Sequence, residues 1–439
     1  MKSQLLRSIA CATMIVPALW ATSASAQQSV AGAMFQPASL PTSGAVSAFY
    51  STYRSSPMWF RGGVANPAAG RLVAILRRAH FDGLASGPQL AAQVEAAIAR
   101  ASTGTPANVM AAEQMLSSAW VMYVQALKRP TPNMDYASPV LMPQGSRSDQ
   151  ILLTAVGAPS LDQHLVQVSR VNSIYAQLRE TAWQQAQAAG NLAPDPRLLV
   201  NLERARTIPG TGRFVVVDAA GQRMTMFENG QPIDSMKIIV GTDEFPTPMI
   251  ASFVHYVTLN PYWDSPDHLV RKAIAPNVLS QGFGYLKSRG YEVMADWTAN
   301  SAVIPPDQID WKAVVAGKKQ IRIRQKPGRQ NFMATMKIPF VNNHNIYLHD
   351  TPAKDLFAKS QRALSNGCVR LEDAPRFARW LLGYDPVAPS ADPEQHIQLP
   401  RGVPIYLTYL TAQPRDGKIT YTADVYGWDK AALQRVASR

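Results

Sequence analysis

The chain has 439 residues, 46% of them hydrophobic, and 43 Lys and Arg against 30 Asp and Glu give a formal charge of +13. That length and composition fit two or three globular domains with ordinary cores. The charge favours polyanionic partners such as nucleic acid, anionic membrane or acidic wall polymers, and the chain has only two cysteines, Cys11 and Cys368.

Residues 1–26 have the three parts of a secretory signal peptide: a basic start at Lys2 and Arg7, an uncharged, mostly apolar run from Ile9 to Trp20, and the small-residue cleavage site Ala24-Ser25-Ala26. The run is shorter than the ~20 residues that span a bilayer, and Pro17 interrupts it. Removing Lys2 and Arg7 with this segment takes the charge from +13 to +11. Cys11 leaves too, which excludes an internal disulfide framework and cysteine-rich zinc ligation. A single thiol in an exported protein, where paired cysteines oxidise, reads as a reactive one. Export argues against nucleic acid, and the basic residues are scattered rather than clustered with aromatics.

Residues 27–41, rich in Ser, Ala, Gln and Pro, read as a flexible leader. A helical domain is expected over 42–205. Leu116, Trp120, Tyr123 and Leu127 share one helix face, and Val168, Val171, Tyr175, Leu178 and Ala182 repeat the spacing in a second helix that stops at Gly190. Shorter helices are expected at Leu72–His80 and Leu90–Ala101, with turns at Asp82-Gly83 and Thr103–Pro106. The Pro130–Gly145 connector is long enough to be ordered against another domain. His80 and His164 have no acidic or Cys neighbours at metal-ligand spacing, so this half carries no chemistry.

Near Arg213 the hydrophobic period changes from 3.6 to 2, and a mainly-β domain is expected over 206–430, making the chain α+β. Strands are read at Phe214–Asp218, Met224–Phe227, Met236–Gly241, Ser252–Asn260, Val403–Thr411 and Ile419–Val425, with a hairpin turn at Asn229-Gly230 and a helix at Asp373–Leu382. From 264 to 330 the pattern breaks down, punctuated by Pro266, Pro276, Pro305 and Pro306. Short helices at Leu269–Ile274 and Gln308–Val314 suggest an inserted capping subdomain, either a lid or a surface excursion.

The reactive stretch follows. His349 ends a strand in which Ile346 and Leu348 face the core while Tyr347 and His349 share the other face. Cys368 lies 19 positions later in Ser365-Asn366-Gly367-Cys368-Val369-Arg370. A thiol is nucleophilic as thiolate, an imidazole is the usual base, and Asp350 or a nearby carbonyl would orient that imidazole. Gly367 suits a tight turn that presents Cys368. His344 and His349 fall on alternate strand faces, so no metal site is expected.

His349, Ser365, Gly367, Cys368, Val369 and Arg370 together resemble the catalytic motif of the L,D-transpeptidases with a YkuD-type domain. Asn201-Leu202-Glu203-Arg204, Thr247-Pro248, Asn260-Pro261, Arg324-Gln325-Lys326-Pro327-Gly328 and Tyr347-Leu348-His349-Asp350-Thr351-Pro352 are similar to a larger periplasmic, YcbB-like subgroup with a helical scaffold domain. Asn366 departs from the histidine the family often has, which leaves His349 as the base. The resemblance implies a periplasmic, cofactor-independent enzyme of a Gram-negative bacterium that cross-links peptidoglycan. Cys368 attacks a tetrapeptide donor stem, D-alanine leaves, and an amine of an acceptor stem resolves the thioester. It also implies acylation by carbapenems and other wall-synthesis enzymes as partners. In this frame the amides of Gly367 and Cys368 are oxyanion candidates. Arg370 would hold a substrate carboxylate or pair with Glu372 or Asp373. Tyr347, Ser365, Asn366 and Trp263 would line the cleft. Water in place of the amine would make the enzyme a carboxypeptidase, and loss of chemistry would leave a wall-binding scaffold.

Overall fold

The computed structural model describes residues 40–53, 57–102 and 104–437. The signal segment with Cys11, nearly all of the leader, and Thr103 of the expected 103–106 turn lie outside the described residues. The chain is α+β, with a helical domain followed by a mainly-β one.

The helical domain runs through Ser43–Thr52, Pro67–Arg77, Gly87–Ala101, Pro106–Leu127, Ser148–Val156, Leu161–Arg170 and Ser173–Ala188. Several helices start with proline in the first turn. Asn66 and Thr105 cap two of them through side-chain oxygens that accept N–H bonds from Ala68 and Asn108. Leu116, Trp120, Tyr123 and Leu127 are buried on the longest helix. Asp82, fully buried, accepts hydrogen bonds from Tyr123 Oη (2.9 Å), Tyr175 Oη (2.8 Å) and Arg179 Nη1 (3.0 Å). A buried charge is tolerated when it is paired and bonded in this way.

One expected helix is two. The stripe from Val168 to Ala182 breaks at Val171, whose φ of +63° is non-helical. Asn172 caps the next helix by accepting from Tyr175 N (2.8 Å) and donates to the carbonyls of Ala205 and Ile208 (both 2.9 Å). The apolar spacing continues across the break, with Tyr175, Leu178 and Ala182 buried beyond it; the polar anchoring by Asn172 sets the corner.

The connector is ordered, with Asp135–Tyr136 pairing in parallel with Ile250-Ala251 of the sheet. Helix Pro196–Ala205 then leads into the barrel. Its Arg204 pairs with Asp429 (2.5 Å) and its Glu203 with Arg435 (2.7 Å), while Asn201 bonds Thr411 and Ala412. The Asn-Leu-Glu-Arg stretch thus ties the end of the chain, helix Trp428–Ala437, to the domain seam.

Eight strands close into a barrel: β1 Phe214–Asp218, β2 Arg223–Glu228, β3 Gln231–Gly241, β4 Ile250–Leu259, β5 Met336–Pro339, β6 Tyr347–His349, β7 Val369–Leu371 and β8 Gln395–Thr408. Their order is β5-β6-β7-β3-β2-β1-β8-β4, and β4 returns to β5. β8 begins eight residues before the expected Val403, past a register shift between Gln398 and Val403 that the alternating pattern does not show. The strand expected at 419–425 is confined to Lys418–Tyr421. Helix Ala374–Leu382 packs Phe377, Ala378 and Leu381 into the barrel core and ends at Gly383 in the left-handed region.

The insertion between β4 and β5 has its own core. Trp263, Ile274, Val278, Trp311, Val314 and Ile323 bury together over a four-stranded sheet that begins with Trp263–Asp264. The expected helix at Leu269–Ile274 is a π-helical turn, Val270–Ile274, between two α-helical pieces. Tyr347 of β6 packs against this second core, so the insertion sits on the barrel face that carries the reactive stretch.

Candidate active site

β6 and β7 run in parallel, with Leu348 opposite Val369 and His349 opposite Arg370. Strand alternation then sorts the residues. Leu348, Val369 and Leu371 are fully buried in the barrel core. Tyr347, His349, Cys368 and Arg370 line one cavity of about 260 Å³ on the other side. Ser365, Asn366 and Trp263 line it too, and the insertion contributes Leu269, Ile274 and Phe332. All the cleft residues expected from the sequence, Asp350 and Gly367 apart, therefore meet in one place. The apolar lining carried no sequence signal, because helix and loop residues of the insertion reach the cleft by tertiary packing alone.

The loop that presents Cys368 is pinned at each step. Gly367 has φ +105°, and a Cβ there would lie 2.9 Å from Ile346 Cδ1. Its carbonyl accepts from Thr247 Oγ1 (2.7 Å), and that oxygen accepts from Gly241 N (2.9 Å). Ser365 donates to the Cys368 carbonyl (2.6 Å) and accepts from Gly367 N (3.2 Å). Ser365 is buried, so its hydroxyl holds the loop together rather than facing the cleft freely. The Gly367 N–H, one of two oxyanion candidates, is occupied by Ser365 in this arrangement.

The Cys368 thiol donates to the Asn345 carbonyl at 3.7 Å and lies against the N–H and hydroxyl of Tyr347. Burial pushes the thiol up; Tyr347, Arg370 and Lys337 oppose this without overcoming it. The Tyr347 phenol is also held well above its usual range, by burial and then by the neighbouring Cys368. Burial, with the Arg370 charge second, pushes the His349 imidazole down to about 4. Near neutral pH Cys368 is thus a thiol and His349 a neutral imidazole.

His349 Nδ1 lies 2.6 Å from the Asp350 main-chain carbonyl. A carbonyl only accepts, so Nδ1 carries the proton and Nε2 keeps the lone pair a base needs. The Asp350 carboxylate turns elsewhere, to Thr335 Oγ1 (2.8 Å) and Lys354 Nζ (2.7 Å). Burial works to raise that carboxyl, but the bonds from Lys354 and Thr335 outweigh it and hold it below the usual carboxylate range. Of the two orienting groups left open by the sequence, geometry selects the carbonyl. Lys354 also reaches the carbonyls of Leu371 and Glu372, which clamps the turn after β6 onto β7.

Arg370 makes no ion pair among the described residues. Glu372 Oε2 accepts from Lys237 N (3.0 Å), and Asp373 pairs with Arg376 (3.3 Å). Burial lowers the guanidinium somewhat, and the nearby Cys368 works the other way. No group of three or more His, Cys, Asp or Glu side chains placed to hold a metal ion occurs among the described residues. His344 lies in the turn before β6 and approaches Asp135 at 3.4 Å.

A cysteine at the mouth of β7 and a histidine at the end of β6 line one capped cleft on a closed barrel. Residues 212–388 match the family model described as the L,D-transpeptidase catalytic domain, YkuD, and residues 44–181 match a scaffold-domain model. The chain carries a YkuD-type L,D-transpeptidase catalytic domain behind a scaffold domain. A Haemophilus influenzae protein named "Putative L,D-transpeptidase" is 26% identical over 320 residues, 71% of this chain and 64% of that protein. The chain thus covers just under two thirds of that relative's length. A solved structure, an L,D-transpeptidase from Mycobacterium smegmatis, is similar at 14% identity and a TM-score of 0.22, over 45% of this chain and 59% of that one.

Proposed function

We propose that this protein is an L,D-transpeptidase that cross-links peptidoglycan stems through a thioester on Cys368, in the periplasm of a Gram-negative bacterium, and that it belongs with the YcbB-like enzymes. The observation that carries the reading is the parallel pairing of β6 with β7, which turns His349 and Cys368 into one cavity under the insertion. The signal-like first 26 residues support export.

In the proposed reaction the donor tetrapeptide presents the carbonyl of its third residue to Cys368. His349 Nε2 takes the thiol proton as sulfur attacks, so the thiolate forms during the step and not before it. The Cys368 N–H meets the developing oxyanion. The proton passes to the leaving nitrogen, D-alanine departs, and a thioester remains on Cys368. An acceptor amine then attacks the thioester and loses its proton to His349, which regenerates the thiol and forms the new amide. Arg370, with no carboxylate partner of its own among the described residues, is placed to bind a stem carboxylate through its planar fork. Tyr347, Trp263 and Asn366 line the donor cleft.

The test is mass spectrometry of the protein after incubation with tetrapeptide muropeptides and, separately, with a carbapenem. Expected are cross-linked dimers, an adduct on Cys368, and neither in Cys368→Ala. That variant should unfold within about 1 kcal/mol of the parent, since only one small side chain is trimmed. Tripeptides without dimers would make the enzyme a carboxypeptidase. A folded protein with neither product nor adduct would make it a wall-binding scaffold.

A further inference from the structure

A second cavity, of about 490 Å³, shares no lining residue with the Cys368 cleft. It lies where helix Ser173–Ala188 meets the barrel and the hairpin formed by Ala412–Arg415 and Lys418–Tyr421. Four cations border it: Arg223, Lys237, Arg362 and Arg415.

Their arrangement is electrostatically costly. Arg223 on β2 stands directly opposite Lys237 on β3. Like charges facing each other across two strands destabilise a sheet. Arg362 is close enough that, after burial, the Arg223 charge is the next influence pushing its guanidinium down. None of the four forms an ion pair among the described residues. Arg223 donates to Ser235 Oγ (2.7 Å), Arg415 to Gln413 Oε1 (3.3 Å) and Lys237 Nζ to the Phe357 carbonyl (3.3 Å). Arg362 donates to main-chain carbonyls, including those of Ile238 and Gln222. The one carboxylate in the lining, Asp218, already accepts the N–H groups of Ala220 and Leu410. Glu372, just after β7, is a carboxylate that favours the Arg362 charge, and its Oε2 accepts the Lys237 N–H.

We infer that this cavity is a second, non-catalytic binding site for the peptidoglycan stem, taking the carboxylates spaced along that peptide. The identity of the ligand rests on the proposed function; the anion preference rests on the cations alone. Guanidinium forks pair with carboxylates in two-point fashion. Gln177, Gln413 and Thr225 line the same cavity and offer amide and hydroxyl groups to the peptide bonds that separate a stem's carboxylates. The volume falls in the range of ~300–1,000 Å³ typical of small-ligand sites. A stem held at the seam of the two domains would keep the polymer on the enzyme while Cys368 works on another face of the barrel.

The test is site-resolved hydrogen exchange on the full exported chain, with a disaccharide-tetrapeptide as the probe. The proposal expects protection of residues 174–178 and 412–415 on adding the tetrapeptide. In Arg223→Gln/Arg415→Gln that protection should need at least tenfold more ligand, while protection of 345–349 and 365–370 and the rate of Cys368 acylation stay within twofold of the parent. Both side chains are exposed, so the variant should fold, and its unfolding midpoint checks this. Unchanged protection in the variant, or protection by inorganic phosphate that the tetrapeptide cannot displace, overturns the proposal. A parent that binds the tetrapeptide here but never forms an adduct on Cys368 overturns the proposed function and leaves this site standing.

Discussion

His268 of the inserted subdomain holds Asn366 of the cysteine loop, with Nε2 3.0 Å from Oδ1. The same imidazole stacks on Phe245 at 4.5 Å and 13°. Asn366 immediately precedes Gly367 and Cys368, so the capping subdomain is fastened to the loop that presents the nucleophile. A hydrogen bond of this kind contributes about 1 kcal/mol, which is roughly a five- to tenfold effect if it is present only in the acylation-competent form. His268→Ala and Asn366→Ala should each lower kcat/KM for Cys368 acylation about three- to tenfold, and the double variant should be no worse than either. Stopped-flow acylation of the three variants measures this. Losses that multiply in the double variant would show that the two residues act independently.

The Asp350 carboxylate is predicted not to matter for chemistry. His349 is oriented by the Asp350 main-chain carbonyl, while the carboxylate bonds Thr335 and Lys354. Where a triad carboxylate sets the tautomer, its loss costs on the order of 10⁴ in kcat. Asp350→Asn should cost less than tenfold in acylation, because the carbonyl stays in place. The variant should still lose about 1–3 kcal/mol of stability through the weakened contact with Lys354. Paired measurements of acylation rate and urea midpoint separate the two effects. A thousandfold loss of rate with little loss of stability would return the carboxylate to the mechanism.

The contrast between what sequence reveals and what it hides follows from range. The strands, the α+β division and the reactive stretch rest on local period and local chemistry, and alternation puts Tyr347 and His349 on one face; the parallel pairing of β6 with β7 then brings Cys368 and Arg370 beside them. The helical period runs straight through Val171, whereas the corner there is set by Asn172 bonding the distant carbonyls of Ala205 and Ile208. The roles of Asn345, Thr247 and His268 arise only when distant segments meet, and nothing in their own neighbourhoods announces a partner. The cation cluster of Arg223 and Lys237 is of the same kind: it exists only once β2 and β3 are in register.

His349 sets two pH dependences. Its imidazole is at about 4 in the folded chain against about 6.5 when unfolded. The unfolded chain therefore binds the proton first as pH falls. The stability from keeping this ring neutral is complete above pH 6.5, declines as pH falls through the interval, and is gone below about 4. The loss is about 3 kcal/mol, observable as a falling urea midpoint that is smaller in His349→Gln. For catalysis, a neutral thiol–imidazole pair predicts an acid limb in kcat/KM near pH 4 and no loss between pH 7 and 9. A standing thiolate–imidazolium pair would instead lose activity in that alkaline range as the imidazolium deprotonates. The pH profile of Cys368 acylation decides between them.

Gly367 is predicted to be the least replaceable residue of the loop. Its φ of +105° is outside what L side chains readily adopt, and an added methyl would meet Ile346 Cδ1 at 2.9 Å. Ile346 is itself buried, so it has little room to yield. The peptide also cannot rotate away cheaply, since its carbonyl is held by Thr247 and its N–H by Ser365. Gly427→Ala isolates the conformational part, because φ there is +68° and an added methyl would meet nothing within 4 Å. Gly427→Ala should cost about 1 kcal/mol and leave acylation unchanged, whereas Gly367→Ala should cost about 2–4 kcal/mol and slow acylation at least a hundredfold. The difference between the two variants reports the steric demand at the nucleophile's own turn. A Gly367→Ala enzyme that acylates at the parental rate would mean that the turn can present Cys368 in more than one geometry.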